Sequence, residues 1–153
     1  MTQHTKTAFS RAGEVLEHAI GYLARVGDLL DEARGEEHPD RVRMLLDAFE
    51  LEHRNLLGAL ERYADDAPAK VLDTFVQFSA EVPESLAGPE APLTTLGLTQ
   101  WLQGRNQHLV KIFGELAETA TAPEVREAFA AMSKQVVGHE KRLSKEYQRF
   151  EDL

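Results

Sequence analysis

Apolar residues return every three or four positions along four stretches, each far longer than an ordinary globular helix. That periodicity restricts the chain to a bundle of long amphipathic helices. The first stretch, residues 7–34, carries Phe9, Leu16, Ile20, Leu23, Val26 and Leu30 and stops at Gly35. The second opens at Pro39, a favoured first-turn residue, and carries Val42, Leu46, Phe49, Leu56, Leu57 and Leu60 until "DDAP" breaks it. The third covers residues 94–119 and the fourth residues 122–150, where Thr121 and Glu124 have the spacing of a capping box. Strand-type alternation is absent, so the expected class is all-α in a single domain covering residues 1–153.

Loop lengths set the expected topology. "GEEH" and the turn near Thr121 are too short for anything but antiparallel hairpins. Between helices two and three lies "DDAPAKVLDTFVQFSAEVPESLAGPEAPL", roughly thirty residues, enough to travel the ~40 Å length of the bundle. It contains an apolar helical piece over residues 71–78 and then a proline-rich run. A crossing of that length lets helices two and three point the same way.

Charge and cysteine content remove several function classes. The 153 residues hold 26 acids against 17 lysines and arginines, a net charge of −9, and no cluster of cations with interleaved aromatics. Such a surface repels phosphate backbones, so nucleic acid is not an expected partner. "HEKRLSKEYQR" is the solvated, dipole-complementing face of the last helix. With no cysteine, thiolate chemistry and disulfides are excluded. The first residues lack a secretory pattern and no segment reaches the length of a membrane span, which predicts a soluble, cytoplasmic protein without a membrane partner. His4 and His38 read as solvated, and Trp101, Phe113 and Phe129 as core.

Chemistry enters through "ELEH", residues 50–53, on the second helix. At ~100° per residue, His53 falls at the centre of that helix's apolar arc and Glu50 toward its edge. His139 falls near the middle of the arc on helix four. Two antiparallel hairpins, a long crossing and Glu-x-x-His on helix two resemble the ferritin-like superfamily, rubrerythrin-like members in particular. The resemblance implies a four-helix bundle holding two iron or manganese ions between carboxylates and imidazoles. The motif is incomplete here: Val136 stands three residues before His139, and Glu17 on helix one turns outward.

Arg105 is expected inside helix three at the height of a liganding acid, and a guanidinium opposes a buried cation. The expected interior is therefore an ion-pair network in which Glu50 and Glu146 balance Arg105 and Arg142, with His53, His108, Gln135 and His139 completing hydrogen bonds. The corresponding function is a non-catalytic binding or interaction protein without a cofactor. The alternative is an iron- or manganese-dependent oxidoreductase using Glu50, His53 and His139 as metal ligands. The broad apolar face of helix one, from Val15 to Leu30, predicts a second buried surface, against the crossing segment or a twin subunit, and a homodimer is the expected partner state.

Overall fold

A computed structural model describes residues 8–78 and 86–152. Its elements run β1 (Ala8–Arg11), α1 (Ala12–Arg34), α2 (Asp40–Asp66), the single turn α3 (Ala69–Leu72), β2 (Phe75–Phe78), α4 (Thr95–Thr119) and α5 (Pro123–Glu151). The chain is mostly helical, and no described helix is long and apolar enough to cross a membrane.

Helix starts follow local chemistry. Glu14 reaches back to accept from the Arg11 amide at 3.0 Å, opening α1, and the Thr94 hydroxyl accepts from Gly97 N at 2.9 Å, opening α4. The capping box expected at Thr121 and Glu124 does not form: the cap residue is Ala122, with Pro123 supplying a preset first-turn φ.

Specific pairs fix the directions of the long helices. Arg34 of α1 meets Asp47 of α2 at 3.0 Å, while Leu23 faces His53, so these two helices are antiparallel. On α4 and α5, Thr95 bonds Glu151, Gln103 bonds Ser144, and Phe113 stacks on Phe129 at 6.0 Å. Those two are antiparallel as well. Glu52 of α2 binds Arg142 of α5 at 2.9 Å, and Lys70 just beyond α2 lies 3.9 Å from Glu124 at the start of α5. Helix α2 is thus antiparallel to α5, and α2 and α4, the helices that the crossing joins, run the same way.

Two expectations on the ends and the crossing need correction. The helix predicted over residues 71–78 ends at Leu72, and residues 75–78 form a strand that pairs antiparallel with β1, Ala8 opposite Phe78 and Arg11 opposite Phe75. The first helix begins at Ala12; Thr7 and His4 lie outside the described residues. Ala12 N donates to Thr74 O at 2.8 Å and continues the clasp into the first turn of α1. The crossing also covers the two ends of the broad apolar face of α1. Val71 and Val76 belong to the same cluster as Ala12, Val15 and Leu16, Leu72 lies against Gly13, and Gly88 lies over Leu29.

The interior consists of two apolar clusters stacked along the bundle. One joins Leu16, Leu56, Leu60, Leu109, Ile112, Phe113, Phe129 and Val136. The other joins Val26, Leu30, Leu45, Phe49, Leu98, Leu102, Leu143 and Phe150.

Candidate functional site

Between those clusters every long helix except α1 contributes a polar side chain: His53 from α2, Asn106 from α4 and His139 from α5, exposed by 3 %, 0 % and 0 %. His53 points inward because it follows Phe49 by four residues and precedes Leu56 by three, the spacing of a single helical face. Its ring lies so close to α1 that a Cβ on Gly27 would come within 3.3 Å of Cδ2, so the glycine there makes room for the imidazole. Nε2 is 2.6 Å from Leu23 O. A carbonyl only accepts, so Nε2 carries the proton and Nδ1 of the neutral ring keeps a lone pair.

His139 makes no hydrogen bond through either ring nitrogen, and its ring centroid lies 6.4 Å from that of His53. Burial first, then the neighbouring positive charges of His53 and Arg142, push its pKa down to about 3. Burial also lowers that of His53, partly offset by the Leu23 carbonyl. Both rings are neutral near pH 7. Asn106, bracketed by the Gln103–Ser144 and Gln107–Glu140 hydrogen bonds between α4 and α5, has neither amide atom bonded to protein. With His53 Nδ1, five buried donor or acceptor atoms of this layer lack a protein partner. Each such atom costs about 1–3 kcal/mol unless a guest or water meets it.

The acids of "ELEH" are mostly buried but turn to cations of neighbouring helices. Glu50 accepts from Arg34 at 2.8 Å and Glu52 from Arg142 at 2.9 Å. The expected interior ion-pair network is accordingly not assembled. Arg142 is exposed and bound to Glu52, Gln135 is exposed, and Glu146 approaches Arg149 at 3.9 Å with its second oxygen buried. Arg105 is half-buried, but its guanidinium lies 6.0 Å from the centre of the Trp101 ring rather than entering the core. His108 packs edge-on against Tyr22 at 4.7 Å and His18 at 6.0 Å in the seam between α1 and α4, where burial lowers its pKa. The Tyr22 hydroxyl donates to Arg105 O at 3.1 Å.

This donor set does not fit the pair of metal ions that the family resemblance implies. Glu50, His53 and His139 do not converge, and among the described residues no group of three or more histidines and acids is placed to hold a metal ion. Two imidazoles sharing one tetrahedral ion would have centroids about 5 Å apart. Two imidazoles sharing one tetrahedral water would be separated by about 6.5 Å, close to the 6.4 Å found. Neutral groups also leave a cation without counter-charge, whereas three acceptors and matching N–H donors suit an uncharged hydrogen-bonding guest.

Asn106 is the residue that the sequence reading missed. Its signal was the Leu98, Leu102, Leu109 stripe, which has a gap at 106 that a polar residue fills. No family model, curated protein or solved structure matches this chain.

Proposed function

We propose that the chain is a ferritin-like bundle of the rubrerythrin kind whose interior has exchanged carboxylates for neutral donors, and that it acts as a binding or interaction protein rather than a metal oxidase. The observation that carries this reading is the division of labour on α2: Glu50 and Glu52 pair with Arg34 and Arg142, while His53 pairs with no charged group and lies in the neutral layer. The hairpin, crossing and hairpin arrangement supports the fold resemblance. The neutral layer of His53, Asn106 and His139 supports an interior that takes water or another small uncharged molecule. The rival oxidoreductase on Glu50, His53 and His139 requires Glu50 to leave Arg34 and the two rings to close together. The expected homodimer is not carried into the proposal, because Val71, Val76 and Gly88 of the crossing segment already meet the two ends of the apolar face of α1.

Elemental analysis of protein purified without chelator tests the reading. The expected result is iron and manganese well below one ion per chain, unchanged in His53→Ala. Stoichiometric metal that disappears in that variant would establish the oxidoreductase instead.

A further inference from the structure

Among the described lysines and arginines, Arg105 alone is not exposed. It also has no carboxylate within ion-pair distance among the described residues, in a chain with 26 acids. A partly desolvated guanidinium keeps five N–H donors in a fixed fork, and leaving them without an anion is costly. Its guanidinium carbon lies 6.0 Å from the centre of the Trp101 ring, a cation–π contact that leaves the charge without an anion.

Trp101 is itself held in place. Its indole N–H donates to Ala87 O at 2.9 Å, which ties α4 to the strap of residues 86–94. Between strap and helix runs an open cleft of about 630 Å³ whose wall is as polar as it is apolar: Ala91, Pro92, Gly97 and Trp101 give the apolar part, with Gln100 and Arg105 on the helix side and Glu90 on the strap. That is the size range of small-molecule sites.

We propose that Arg105 and Trp101 form a binding site for a small monocarboxylate with an apolar body. The carboxylate meets the guanidinium edge in the bidentate geometry that arginine favours. The aliphatic or aromatic part lies along Ala91, Pro92 and the indole. Glu90 and the net charge of −9 disfavour a doubly charged phosphate in the same place. A neutral ligand would leave the guanidinium charge unbalanced. The proposal is independent of what occupies the interior layer.

Trp101 is the chain's single tryptophan, so its fluorescence reports on the cleft directly. Titration with sodium hexanoate at constant ionic strength should give a saturable change that hexanol at the same concentrations does not. Arg105→Gln should weaken hexanoate binding by at least ~10-fold and Arg105→Lys by less, since lysine keeps the charge but loses the fork. Glu90→Gln, on the exposed strap, should tighten it a few-fold. Equal responses to hexanoate and hexanol, or affinity unchanged in Arg105→Gln, would overturn the site. Should Arg105→Gln fail to fold, Glu90→Gln decides: unaltered or weaker hexanoate binding overturns the proposal.

Discussion

His139 is the side chain whose chemistry the fold alters most. Folded, it stays neutral down to about pH 3, whereas its ordinary pKa is 6.5. Between those values the unfolded chain binds more protons, so this contribution to stability is fully present above pH 6.5 and is lost as pH falls. Urea melts should show the unfolding free energy declining from pH 6.5 to about 4, with a shallower decline in His139→Leu. A decline of the same slope in the variant would place the acid sensitivity elsewhere. Asn106→Leu removes two unpartnered amide atoms from a fully buried position. In plain buffer it should be neutral or stabilising by about 1–3 kcal/mol; a loss of more than ~2 kcal/mol would show that the amide is bonded to a tightly held guest. The sequence placed His53 and His139 correctly but put Arg105, Gln135 and Arg142 inside. Each is the immediate neighbour of a residue that is truly inward: Asn106, Val136 and Leu143. A step of one residue turns the side chain by ~100°, enough to carry it from the core to the rim.

The long helices were legible because apolar periodicity over more than twenty residues averages out single exceptions. The strands were not, because Ala8–Arg11 and Phe75–Phe78 have four residues each, too few to show alternation. "FVQF" also continues the apolar run of α3, which makes it read as helix. Within α1, two glycines have opposite meanings that periodicity alone cannot separate. Gly21 faces solvent with nothing near its missing Cβ, while Gly27 abuts the His53 ring. Gly21→Ala should stabilise by about 1 kcal/mol through helix propensity. Gly27→Ala should gain nothing or lose stability, because a methyl 3.3 Å from His53 Cδ2 presses on a ring already pinned to Leu23 O. Paired urea melts measure both, and equal gains would show that His53 moves freely.

The polar layer divides the core into two clusters that share all four long helices, and that arrangement sets how damage spreads. Leu98→Ala above the layer should cost about 2–5 kcal/mol and Ile112→Val below it about 0.5–1.5 kcal/mol. Both lie on α4, on opposite sides of Asn106. Because they belong to separate clusters, their effects should add to within ~0.5 kcal/mol in a double-mutant cycle. A larger coupling would mean that the layer transmits packing strain. The β1–β2 clasp has its own consequence for how the molecule can be taken apart. It joins the beginning of the first hairpin to the segment just past its end, so residues 8–78 close on themselves before the strap begins. A gene cut at Gly88 would encode two pieces of comparable size, one of them a loop already fastened with its own buckle. Expressed together with different affinity tags, the pieces should co-purify as a reconstituted whole, and the bundle would then serve as a split reporter.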